Sequence, residues 1–334
     1  MYSDDDLRSA VAAGVISDKD ANALRDYVER QRATHFQDEE HFRLVSGFND
    51  IFVVIAAVLA LAALWTLGNL VAPWLGGGAV AIASWLLAEY FTRKRRMALP
   101  SIVLLFACLG GVFAGVFISL MDIWQESPVV PLLAFLPTTI VACAHWFRFR
   151  VPITLAAGAA TTVGLIVSLL AWAFAFSDEL LKVILFVAGL AVFSLALYWD
   201  RSDLERQTRR ADVAFWLHLL AAPLLVHPIF VTLADSDMNV GLAQAMVTIL
   251  VYLVLAGVSL VIDRRALMVS ALSYVIYVFS ALLNSYGLVS VSTALIGLVV
   301  GSGLLLLAVF WHPLRSALVK ALPQRLSASV PAIR

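Results

Sequence analysis

A chain of 334 residues that is 62% apolar and 14% charged, with a mean hydropathy of +0.91, is not composed like a soluble domain, in which about half the residues are apolar and about a quarter charged. Its 23 basic and 23 acidic residues cancel, which removes bulk charge as an argument for nucleic acid or any other acidic partner. The two cysteines, Cys108 and Cys143, both fall within apolar runs, which argues against a disulfide framework and for small packing residues.

The first fifty residues are polar. They open MYSDDD, without the basic region and early apolar stretch of a signal peptide, so the N-terminus is expected to stay in the cytoplasm. Ser3 with Asp6 makes one capping box, Gly14 suits a helix stop, and Ser17 with Asp20 opens a second helix. A helical hairpin and linker are therefore expected over residues 1–46. Leu7 and Val11 on the first helix, and Leu24 and Val28 on the second, supply narrow apolar stripes, with Val15 and Ile16 filling the turn. So small a pair buries little alone and is expected to dock on the bundle or on a cytoplasmic protein. The run LRSAVAAGVISDKDANAL from Leu7 to Leu24 resembles the leading segment of the bacterial membrane-protein family called domain of unknown function 2157: a leucine, a glycine, a branched pair, a polar cap and an alanine-leucine helix, ahead of many apolar spans. The resemblance implies a bacterial inner-membrane location and transfers no activity.

Apolar runs follow at approximately Ile51 to Leu70, Ala72 to Phe91, Leu99 to Met121, Val129 to Phe147, Val151 to Phe176, Leu180 to Trp199, Ala211 to Leu233, Gly241 to Ile262, Leu267 to Asn284 and Ala294 to Trp311. Each is near the ~20 residues that a helix needs to cross a ~30 Å hydrocarbon core. The intervening segments alternate. VAPWLGGG, DIWQES, SDELLK, LADSDMN and NSYGLVSVST carry almost no basic residues, whereas RKRR, RFR, DRSDLERQTRRAD and DRR are strongly basic. Placing the basic set in the cytoplasm puts all of the 23 lysines and arginines there except Lys182, whose stem can snorkel to the outer surface. One missed or spurious span would invert every later loop, so the alternation supports the count itself. The expected fold is all-α: a polytopic transmembrane bundle of about ten spans over residues 47–312, both termini cytoplasmic, with the hairpin before it and a cytoplasmic tail over 313–334.

Tryptophans collect toward span ends, with Trp65, Trp74, Trp124 and Trp172 outward and Trp146, Trp199, Trp216 and Trp311 inward, where amphipathic rings act as anchors. Even-numbered spans close on aromatic and then basic residues, as in EYFTRKRR, HWFRFR and YWDRSDLER. This is a weak repeat of outward-facing helical hairpins, and it is equally what any cytoplasmic helix end requires.

Few polar groups lie inside the spans. Glu89 precedes RKRR and is expected to pair with Arg93, four residues on. His218 and His227 in the seventh span stand nine positions apart, on opposite faces, so one helix cannot use both for a metal. Each reads either as a neutral hydrogen-bonded histidine or as a cavity lining, the latter favoured more for His227, around which Pro223 and Pro228 free backbone carbonyls. In the ninth span Ser270, Ser273, Tyr274, Tyr277, Ser280 and Asn284 form one polar stripe, expected to face protein or water and serving either interhelical hydrogen bonds or a solute path. The candidate cavity-lining set is therefore His218, His227, Ser273, Tyr274, Tyr277 and Asn284. Gly111 with Gly115, Gly297 with Gly301, and the run Ala156 to Thr162 allow close helix approach.

No zinc-protease, nucleotide-loop, dinucleotide or nucleophile-elbow motif is present, so no catalytic residue, metal or cofactor is assigned. The leading expectation is a non-enzymatic membrane protein, a scaffold or sensor whose hairpin binds a cytoplasmic protein or whose basic rim binds anionic lipid. The alternative is a transporter of an uncharged or weakly polar solute or lipid, and a membrane-embedded enzyme ranks third. The lack of an acidic residue at mid-membrane depth argues against an ion-coupled carrier.

Overall fold

The computed structural model of the chain describes residues 9–24, 48–124, 127–174, 177–204, 206, 208–234, 242–285, 289–323 and 330. Contacts divide the chain into two compact units, Met1–Phe42 and Arg43–Arg334.

In the first unit, helix covers residues 9–12 and 18–24. Gly14 takes the left-handed conformation, φ +69°, which lets the chain leave the first helix without a Cβ clash. Ser17 Oγ accepts from the Asp20 amide at 3.1 Å and donates to the Asp20 carboxylate at 2.6 Å, a capping pair that satisfies an orphan amide of the second helix. Val15, expected to fill the turn, is exposed instead, and among the described residues of this unit Ala21 is buried. Ser3, Asp6, Leu7 and Val28 lie outside the described residues.

In the second unit the described residues form helices and no strands. They are α1 (Phe48–Asn69), α2 (Pro73–Ala88, extended by a π turn Glu89–Lys94), α3 (Ala98–Trp124), α4 (Val129–Phe149), α5 (Ile153–Ala173), α6 (Asp178–Arg201), α7 (Arg209–Ala234), α8 (Leu242–Ile262), α9 (Ala266–Ser285) and α10 (Val289–Ala321). Each apolar run of the sequence has its helix, displaced by a few residues at either end. The exception is α10, which continues through Pro313 to Ala321, into the stretch expected to be tail. Among the described residues eight helices are long and apolar enough to cross a membrane, while the qualifying stretches of α8 and α9, Met246–Ile262 and Ala266–Ser280, are shorter.

The interior is built from small side chains, so backbones approach closely. Ala57, Leu61, Val80, Ala88 and Leu104 join α1, α2 and α3. Leu105, Leu109, Ala142, Ile153 and Ala157 join α3, α4 and α5. Ala156, Val192, Ala196, Val213, Leu217 and Ala221 join α5, α6 and α7. At the tightest crossing, a Cβ on Gly77 of α2 would meet Gly115 Cα and stand 2.5 Å from the Gly111 carbonyl oxygen, so Gly111 and Gly115 are contact residues as expected. Gly297 and Gly301 are not: a Cβ on either meets nothing within 4 Å.

Helix α7 is the central element. Over its apolar window 56% of residues are buried, against 17% for α1 and for α6, and it contacts α5, α6, α8 and α9. Pro223 is exposed and Pro228 buried within it. Pro228 cannot donate to the Leu224 carbonyl, and α6 packs closely beside that carbonyl, a Cβ on Gly189 standing 3.0 Å from the Leu224 carbonyl carbon. Many large apolar side chains are exposed along the described helices, for example Phe52, Leu59, Ile140, Leu253 and Leu305, an arrangement that calls for lipid as the solvent.

The basic turns share one local feature. Arg96, Arg150, Arg206 and Asp263 have φ of 54°, 53°, 55° and 59°, so each pair α2–α3, α4–α5, α6–α7 and α8–α9 is joined through a charged residue in the left-handed region. That conformation costs a non-glycine residue about 1 to 2 kcal/mol.

Candidate functional site

The densest polar chemistry lies at the basic-loop ends of α6 to α10, and sequence reasoning did not place it there. Asp200, next to last in α6, is buried and held from two directions. His218 Nε2 lies 2.7 Å from its Oδ2, and Arg264 Nη2 donates to its Oδ1 at 2.6 Å. A carboxylate only accepts, so the His218 proton sits on Nε2. Arg264 also donates to the Ala211 carbonyl at 3.2 Å, and its own carbonyl accepts from Ser259 Oγ of α8. His218 is fully buried, with the Phe193 ring edge-on at 5.3 Å and, among the described residues, no hydrogen-bond partner for Nδ1.

Asp263, in the α8–α9 turn, organises the other half. Trp311 Nε1 donates to its Oδ1 at 3.1 Å, Arg315 Nε stands 3.4 Å from the same oxygen, and Arg206 Nη1 donates to Oδ2 at 3.2 Å. Arg206 Nη2 reaches the carbonyls of Ile262 and Asp263 at 3.2 and 3.1 Å. Its approach is prepared locally: Asp203 accepts from the amide and hydroxyl of Thr208 at 2.8 and 2.6 Å, closing the loop that carries Arg206. Burial first, and then the neighbouring Arg264 guanidinium, push the Arg206 guanidinium below its ordinary value. Arg265 lies over the Trp311 ring, 4.8 Å from its centroid. Two carboxylates and three guanidiniums thus share one enclosed region that fastens five helices together at one end.

Of the expected cavity-lining residues, His227 and Tyr274 come together. His227 Nδ1 pairs with the Tyr274 hydroxyl, and Tyr274 stacks on Phe230 at 5.0 Å, so α7 and α9 meet there. His218 belongs instead to the network, nine residues away on α7 or about 13 Å along the helix axis. Ser273 is exposed and donates to the Ser270 carbonyl at 2.9 Å, Tyr277 is 59% exposed, and the Asn284 side chain lies outside the described residues. The buried face of α9 is apolar, with Leu267, Ala271, Val275 and Val278, so the polar stripe flanks the packed face rather than forming it.

Other expectations change partner. Glu89 is held chiefly by Arg148 of α4, at 2.6 and 2.9 Å, with Arg93 at 3.4 Å. Lys182 pairs with Glu179 at 3.1 Å. Trp311, expected as an interfacial anchor, is buried inside the network. His145 was not singled out, yet it is buried, its Nδ1 3.2 Å from Thr154 Oγ1 and its ring edge-on to Trp85 at 5.8 Å. Both cysteines are free, Cys108 buried and Cys143 exposed. Among the described residues no three His, Cys, Asp or Glu side chains come together as metal ligands.

The overlooked signal was an acid at the very end of an apolar run, where a basic loop begins. Asp200 and Asp263 each precede an arginine at a span end, and an acid there needs a reason. No protein-family model matches the chain, and no curated protein or solved structure matches it.

Proposed function

We propose that the chain is a ten-span integral protein of the bacterial inner membrane, both termini cytoplasmic, and that it carries an uncharged or weakly polar solute or lipid across that membrane. The observation that carries the transport reading is Asp200, buried against His218 and Arg264. A buried ion pair adds little stability over apolar packing, so an enclosed carboxylate and guanidinium at a helix end call for a role beyond stability. Such a network earns its place where helix ends must be held in one state and released in another, as alternating access requires.

The test is metabolite and lipid profiling of a deletion strain complemented with the native chain or with Asp200→Asn. The native chain is expected to restore the profile and the variant, expressed at equal level, to fail. Equal restoration by both would defeat the transport reading.

A second reading, a scaffold or sensor acting through the N-terminal hairpin, is favoured by the separate compact unit Met1–Phe42. It predicts that removing Met1 to Arg32 leaves the helices inserted and abolishes recovery of a cytoplasmic partner in pull-downs. Recovery of the same partners with and without the hairpin would end it. The N-terminal resemblance to domain of unknown function 2157 supports the location alone.

A further inference from the structure

The π turn that closes α2 builds a second site, independent of the buried network. In a π turn the residue five positions on bonds back to residue i, and here the Arg95 amide donates to the Tyr90 carbonyl at 3.0 Å. The wider turn brings two successive cations to one ring. Lys94 Nζ lies 6.0 Å and Arg95 Cζ 5.6 Å from the Tyr90 centroid, and Arg95 Nε and Nη2 both reach the Tyr90 hydroxyl, at 3.3 and 3.2 Å. Lys94, Arg95 and Arg96 are exposed, and none of the three is paired with a carboxylate among the described residues. The nearby acid, Glu89, is engaged by Arg148 and Arg93.

What leads to these cations identifies the occupant. Ile82, Leu86 and Tyr90 follow one another at four-residue spacing, so they lie on one face of α2, and Ile82 and Leu86 are 65% and 63% exposed. An open apolar track therefore runs along the helix and ends at a tyrosine carrying two cations that no carboxylate among the described residues neutralises. Free phosphate would use only the end of this track. We propose that Tyr90, Lys94 and Arg95 form a headgroup site for an anionic phospholipid, its phosphate between the two cations and an acyl chain along Leu86 and Ile82. The proposal needs α2 to end at a membrane surface and does not need the chain to be a transporter.

The full chain, purified in a neutral detergent that supplies no surface potential, is titrated with phosphatidylglycerol or phosphatidylcholine and bound lipid is counted by native mass spectrometry. One phosphatidylglycerol should be retained per chain at concentrations where phosphatidylcholine is not. Lys94→Gln with Arg95→Gln should weaken retention up to about thirtyfold, up to about fivefold for each exposed cation–phosphate pair, while Arg209→Gln with Arg210→Gln, the same charge change in another basic loop, stays within about twofold. Leu86→Gln should weaken the lipid and leave any binding of inorganic phosphate as it was. Equal loss in the two double variants, equal retention of phosphatidylcholine, or displacement by inorganic phosphate at lipid-equivalent concentration would each overturn the proposal.

Discussion

Asp200 and Arg264 are worth more to each other than either is to the fold. Asp200→Asn strands a buried guanidinium, and breaking one side of such a pair costs about 3 to 5 kcal/mol. A marked fall in Tm is expected for the purified protein in detergent, read by tryptophan fluorescence. Asp200→Leu combined with Arg264→Met removes both charges and should recover most of the loss, since apolar replacement of a buried pair is close to neutral. A single variant as stable as the native chain would show that the pair is not enclosed in the way described. This contact was hidden in the sequence for two reasons. Its partners are 64 positions apart, beyond any local periodicity, and each read naturally as a loop charge. The histidine was visible and its carboxylate was not, because burial of a span-end residue depends on which helices crowd around that end.

Helices were the most legible element, because a run of about twenty apolar residues has few other stable forms in lipid. Which face each helix buries was less so, and α9 shows why. Ser273 donates to its own helix at Ser270, as Ser194 does to Leu190 and Thr66 to Ala62. A hydroxyl that bonds back to its own helix can face any solvent, so a polar stripe does not mark an interior. Glycine pairs were ambiguous in the same way: both matched the small-residue spacing, and only one met a neighbour. Gly77→Leu or Gly111→Leu should therefore force α2 and α3 apart at a cost of about 1 to 3 kcal/mol, the range for overpacking, whereas Gly297→Leu should leave Tm unchanged. A comparable drop in all three would contradict the crossing at Gly77.

For the whole molecule the proposed topology has a direct test. With Cys108 and Cys143 replaced by serine, a single cysteine at Ser202 should react with a membrane-impermeant maleimide only from the cytoplasmic side, and one at Ser177 only from the opposite side. Reaction of both from one side would break the alternation on which the ten-span reading depends. The left-handed residues Arg96, Arg150, Arg206 and Asp263, one to each basic turn, bear on how such a chain is made. If those turns all lie on one side, the polypeptide comes back to that side after every second helix. Insertion into the bilayer can then proceed in stitches of two helices, each returning the growing chain to the compartment where it is synthesised. In descent, whole stitches can be gained or lost while every other stitch keeps its facing; gain or loss of a single helix would turn everything after it inside out.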